Sequence, residues 1–147
     1  MFQNKKGFIL LNTLVAIIFF IVVVAISMPY IRNYRINSEL SAEARKIVSE
    51  LKYTGQRSVT EQVVYGIFFD ETNDSYQVIK VDGATSTIKT LFLENSINIK
   101  QVNGLSGDQV RFNFYGGVSD SGEIILESVL GKEIIIEIKP SGYVKIQ

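Results

Sequence analysis

The sequence predicts an α+β protein in which a long N-terminal helix, membrane-spanning in its first half, packs on an antiparallel β-sheet or β-sandwich-like head. Three observations predict it. Between Phe8 and Ile31 no side chain carries a charge. From Tyr30 to about Ser58 apolar residues recur at helical spacing. From Val63 onward the pattern changes to period two, interrupted by turn residues.

The apolar run comes first. Phe8 to Met28 is 21 residues, of which only Asn12, Thr13 and Ser27 are polar. About 20 apolar residues cross a bilayer core as a helix, and a backbone in lipid must satisfy its own hydrogen bonds, which enforces helix. Lys5 and Lys6 before the run favour a cytoplasmic N-terminus. Arg32 and Arg35 after it pull the other way, so the positive-inside rule alone leaves the orientation open. A conventional secretory signal competes with this reading, because Ala25-Ile26-Ser27 offers small residues for cleavage before Met28. Against it, the run exceeds the roughly 7–15 residues of a signal core and leads into more helical pattern.

That second helical stretch carries Ile36, Leu40, Ala44, Ile47 and Leu51 at steps of 4, 4, 3 and 4, with Val48 beside them. They form one apolar stripe. Glu39, Glu43, Arg45, Lys46, Glu50 and Lys52 are expected mostly on the other face. The span and this stretch read as one helix of about 45–50 residues, roughly 70 Å long at 1.5 Å per residue. Pro29 lies inside it, lacks the N–H that would bond four residues back, and should bend or loosen the helix there. The alternative is that Pro29 ends the span.

Candidate strands follow at Val63–Asp70, Tyr76–Val81, Ile88–Leu93, Ile97–Val102, Val110–Tyr115, Glu123–Glu127, Lys132–Ile138 and Tyr143–Ile146. Asp82-Gly83, Asn103-Gly104, Ser119 to Gly122, and Pro140-Ser141-Gly142 are among the turns between them. Pro140 suits the second position of a tight turn and Gly142 the fourth, which closes a hairpin between the last two strands. Ile134, Ile136 and Ile138 share one face of their strand. A one-sided sheet needs a cover and a striped helix needs a partner, so Ile36–Leu51 is expected across the sheet.

Composition removes most chemistry. The chain has 147 residues, 15 basic and 15 acidic, with no cysteine and no histidine. A Ser-His or Cys-His pair and a thiolate or imidazole zinc site are therefore impossible, and there is no Gly-rich phosphate loop. No enzyme activity, cofactor or metal site is expected. Asp70, Glu71 and Asp74 crowd one loop, as do Asp120 and Glu123. Solvated turns explain them, and the calcium alternative lacks the spacing of an EF-hand loop.

The N-terminal residues carry a resemblance. Lys5-Lys6-Gly7-Phe8-Ile9-Leu10-Leu11-Asn12-Thr13-Leu14-Val15-Ala16, with Pro29 beyond, resembles the start of a type IV prepilin. The resemblance implies that residues 1–7 are a leader and that a prepilin peptidase cuts between Gly7 and Phe8. It also implies that Phe8 becomes N-methylated. Residues 8–29 would be the transmembrane segment and later the filament core, 30–58 an amphipathic helix of the head, and 59–147 a β-rich head. Without Lys5 and Lys6, 13 basic residues face 15 acidic ones, a balance with no general attraction for nucleic acid. In the second half, Phe112-Asn113-Phe114-Tyr115-Gly116, Gly122-Glu123-Ile124-Ile125-Leu126 and Gly142-Tyr143-Val144-Lys145-Ile146 resemble the H/T class of minor pilins and pseudopilins. That class implies a pilin-like fold, a long N-terminal helix against a β-sandwich-like head, and a minor subunit of a pilus, type II secretion or competence system. It further implies other pilins or pseudopilins as partners. The chain would sit once through the cytoplasmic (inner) membrane, head outward, before entering a cell-surface or periplasmic filament.

One residue departs from the family. The fifth mature residue is usually glutamate, which meets a neighbour's N-terminal amine inside the membrane, and here it is Asn12. An amide hydrogen-bonds but cannot neutralise that amine, which suits a subunit that primes or caps the filament and has no predecessor; the alternative is a tolerated polar replacement in a low-copy subunit. The competing function is a pilus-associated binding module whose head holds DNA or a surface ligand. Lys132, Lys139 and Lys145 would supply a small salt-dependent term, opposed by Glu133 and Glu137.

Overall fold

A computed structural model describes the backbone of residues 4–147 and the side chains from Gly7 onward. The chain forms two compact units, one up to Arg35 and one from Ile36 to Gln147.

Helix α1 runs from Asn4 to Glu61, 58 residues, with Pro29 inside it. It is longer than the sequence pattern suggests because it passes Gly55 without breaking. The ring of Phe112 fills the space beside Gly55, and a Cβ there would sit 3.0 Å from its Cδ1. Gln62, at φ 55°, ends the helix, and its own Nε2 donates to the Val59 carbonyl at 2.7 Å. In the first unit every side chain from Gly7 to Arg35 is exposed. Two of the three polar groups in the apolar run bond back into the helix. Thr13 Oγ1 donates to the Ile9 carbonyl at 2.7 Å and Ser27 Oγ to the Val23 carbonyl at 2.8 Å, the arrangement a hydroxyl needs where no water is present.

The second unit places the last part of α1 with two antiparallel four-stranded sheets. The strands are β1 (Val64–Asp70), β2 (Ser75–Asp82), β3 (Ala84–Phe92), β4 (Ile97–Asn103), β5 (Gln109–Phe112), β6 (Gly122–Ser128), β7 (Glu133–Ile138) and β8 (Val144–Ile146). One sheet has the order β3-β2-β1-β5 and the other β4-β6-β7-β8. The stripe Ile36, Leu40, Ala44, Ile47, Val48 and Leu51 is buried throughout. From Leu40 onward it joins one apolar cluster with Ile67, Phe69, Tyr76 and Val110 of the first sheet and Ile97, Ile124, Ile136 and Val144 of the second. Cross-strand pairs such as Ile124 with Ile136 and Phe69 with Tyr76 set the register, because a one-residue slip would turn these side chains to water.

Two strands differ from the sequence reading by more than one residue at an end. The strand expected at Val110–Tyr115 stops at Phe112, because Asn113 Oδ1 accepts from the backbone N–H of Tyr115 and of Gly117 and folds the chain into a turn. The strand expected from Ile88 begins at Ala84. The last hairpin forms as expected: Gly142 N–H donates to the Lys139 carbonyl at 2.9 Å.

Glu43 is the exception to the charged face. It sits three residues after Leu40 and four before Ile47, which places it on the stripe, and it is only 6% exposed. Lys46 Nζ meets its Oε1 at 3.1 Å. The neighbouring Tyr76 hydroxyl is pushed above its ordinary pKa, first by burial and then by the charges of Glu43 and Glu50.

Candidate processing and assembly segment

The residues singled out for processing and assembly all lie on α1. Gly7 is exposed, and a Cβ there would meet nothing within 4 Å. Phe8 is exposed too, and Asn12 follows it by four residues, one turn along the same face. Pro29 is exposed inside the helix. The side chains of Lys5 and Lys6 lie outside the described ones. α1 brings Phe8 and Asn12 together and leaves Pro29 about 26 Å further along, at 1.5 Å per residue.

What the segment can do follows from its exposure. Phe8 through Met28 presents its apolar side chains outward over the full length of a bilayer core, and it is long and apolar enough to cross a membrane. Burying a single such side chain is worth about 1.5–3 kcal/mol. The run therefore calls for lipid or for other apolar helices around it.

The head adds a device that sequence patterning did not reveal. The carboxylates in the β1–β2 turn reach the free edge of β4, in the other sheet. Asp74 Oδ1 accepts from Ile99 N–H at 2.8 Å and Glu71 Oε1 from Val102 N–H at 2.7 Å. The Asp74 carbonyl also accepts from Leu93 N–H. A register shift between Ile99 and Gln101 sets the spacing of the two captured amides. Asp70 stays within its own turn, accepting from Thr72 and Asn73. These carboxylates, weighed above as solvated or calcium-binding, are engaged with backbone amides and cover a sheet edge that would otherwise invite pairing. Among the described residues no group of three acidic side chains is placed to hold a metal. Asp74→Ala should lower head stability by about 1–3 kcal/mol, because it strands the part-buried Ile99 amide, while Asp74→Asn should retain most of it. Glu71→Ala should matter less, since Val102 N–H can turn to water. Urea melts of the three variants check the ranking, and equal losses would contradict it.

The outer face of the second sheet carries paired charges. Lys100 bridges Glu127, at 3.3 Å, and Glu133. Lys145 Nζ lies 3.0 Å from Glu137 Oε2, which also accepts from Gln147. One of the three lysines weighed for DNA is thus spent on a carboxylate. The Lys145 ammonium, then Gln147, holds the Glu137 carboxyl below its usual range, and Asn73 does the same for Asp70. Both groups stabilise the fold above their unfolded pKa values, near 4, and lose that contribution as pH falls through the lowered folded values. Glu133, then Glu127, raises Lys100, so its contribution is present below its unfolded pKa and is lost only at strongly alkaline pH. The melting temperature of the head should fall on acidification below about pH 4, and Glu137→Gln should flatten part of that fall. A level acid limb would contradict these assignments.

A long N-terminal helix packed on two antiparallel sheets is the fold of pilins and pseudopilins, and this chain has it. The minor pseudopilin EpsH from the type 2 secretion system of Vibrio cholerae is similar with a TM-score of 0.64, over 74% of this chain and 96% of that one, at 7% identity. The type IV minor pilin FimU of Pseudomonas aeruginosa is similar with a TM-score of 0.60, over 76% of this chain and 90% of that one, at 14% identity. The likeness is one of fold. No protein-family model matches the sequence, and no curated protein is similar to it in sequence.

Proposed function

We propose that this chain is a minor pilin or pseudopilin subunit, cut by prepilin peptidase between Gly7 and Phe8 and N-methylated on Phe8. It is anchored by residues 8–29 and then packed into a type IV pilus-like filament, which it helps to prime or cap. The observation that carries the reading is the exposed apolar run of α1 in a chain whose remainder has the pilin-like fold and its own buried core. Lys5, Lys6 and Gly7 support the leader, because a residue without a side chain lets an extended backbone enter a narrow peptidase site. Asn12 supports priming. It cannot neutralise a predecessor's amine, and a first subunit has no predecessor.

Intact-mass analysis and N-terminal sequencing of protein from cells that hold the peptidase test this. The expected mature chain starts at Phe8 and carries one added methyl group, and Gly7→Ile should leave the full-length chain in the membrane. A mature chain that starts at Met28, or that keeps residues 1–7 in assembled filaments, would refute the reading. Labelling of filaments should find the subunit at one end. Even labelling along the shaft would remove the priming role and leave the rest standing.

A further inference from the structure

Arg32 and the tyrosines around it are not absorbed by the processing and assembly roles. We infer that Tyr30, Arg32 and Tyr34 form a belt around the helix that docks in the headgroup layer of an anionic phospholipid membrane and holds the unassembled subunit at a fixed depth. The inference rests on the membrane anchoring proposed above.

Distances along a single helical unit set the depth of these side chains. The apolar run ends at Met28. At 1.5 Å per residue, Tyr30 lies about 3 Å beyond it and Tyr34 about 9 Å beyond it. The headgroup region adds roughly 5–8 Å on each side of the hydrocarbon core. Side chains on a helix lean toward its N-terminus, so both rings fall within that layer. Tyr30 and Tyr34 are four residues apart on one face, 74% and 77% exposed, with Ile31, 66% exposed, beside them. A tyrosine has an apolar body and a polar tip, and it is enriched where one end is dry and the other wet. Arg32 is exposed at a depth between them, on the opposite side of the helix, and offers a planar set of donors that matches a phosphate. The belt continues the apolar run without a gap, and its charge is opposite to that of the lipid. This also gives Arg32 a local role at the end of the span where the positive-inside rule does not expect it.

The chain has no tryptophan, so Tyr30→Trp and Tyr34→Trp each introduce a single tryptophan that can be excited apart from the tyrosines, with Tyr53→Trp, exposed in the head unit, as the control. The full chain is reconstituted at low protein-to-lipid ratio into vesicles of phosphatidylglycerol with phosphatidylcholine, or of phosphatidylcholine alone. In the anionic vesicles, acrylamide quenching of the Tyr30→Trp and Tyr34→Trp variants should be at least about threefold weaker than that of the Tyr53→Trp control. Lipid brominated near the glycerol backbone should quench those two variants and spare the control. Adding Arg32→Gln should raise acrylamide access in the anionic vesicles and not in phosphatidylcholine. Equal quenching of all three variants in a chain that floats with the vesicles overturns the inference. So does protection that is the same in both lipids, or that appears only when protein is crowded, since the occupant would then be a neighbouring helix. A chain that does not float with vesicles overturns the membrane anchoring itself.

Discussion

Replacing Ile47 with aspartate is expected to unfold the domain formed by residues 36–147. Ile47 is fully buried in the cluster that α1 shares with both sheets. The substitution removes about 1.5–3 kcal/mol of apolar burial and puts a carboxylate where no water or cation reaches it. Together these should cost on the order of 5 kcal/mol, much of the roughly 5–15 kcal/mol that holds a domain folded. Ile47→Val, which removes one methylene from the same place, should cost only about 1 kcal/mol. Circular-dichroism melts of the two variants separate the cases. If the aspartate variant melts where the parent does, the stripe does not pack on the sheets.

The second large effect is expected at Gly142. Its φ of +78° lies in the left-handed region, and a Cβ there would come within 2.0 Å of the Gly116 carbonyl oxygen. The loops 113–117 and 139–143 are pressed together at that point, and Val118 N–H donates to the Pro140 carbonyl at 3.1 Å. Gly142→Val needs a backbone shift in both loops and should lose about 3 kcal/mol or more. Gly131 provides the contrast, since its φ is +77° but nothing lies within 4 Å of a Cβ there. Gly131→Ala should lose only the conformational part, about 1 kcal/mol. Urea melts that give the two positions equal losses would show that the loop contact contributes nothing.

The apolar run, the buried stripe and most strands were legible because each follows from a local period. All six stripe residues are buried where their spacing puts them. The first half of β3 was not legible. Ala84 to Thr90 are all exposed, so no alternation of apolar and polar residues marks the strand, and only the threonines suggest it. The end of β5 was missed because one side chain, Asn113, competes with the ladder. Glu43 lies on the buried side because its spacing from Leu40 and Ile47 points inward, and its charge hides that position in the sequence pattern. The Asp74 and Glu71 contacts were beyond reach for another reason. Their partners lie 25 and 31 residues away, and no periodicity links a turn in one sheet to the rim of another.

Those two contacts also bear on how the head breathes. The outermost amides of a sheet ordinarily trade hydrogen for deuterium early, through fraying that leaves the rest intact. The Ile99 and Val102 amides are held by a turn that belongs to the opposite sheet. The Val102 contact is exposed and gives way easily, but the Ile99 contact is part-buried, so the exchange clock of Ile99 reports the hold of the β1–β2 turn as well as that of β4. The two layers should then open as one cooperative unit.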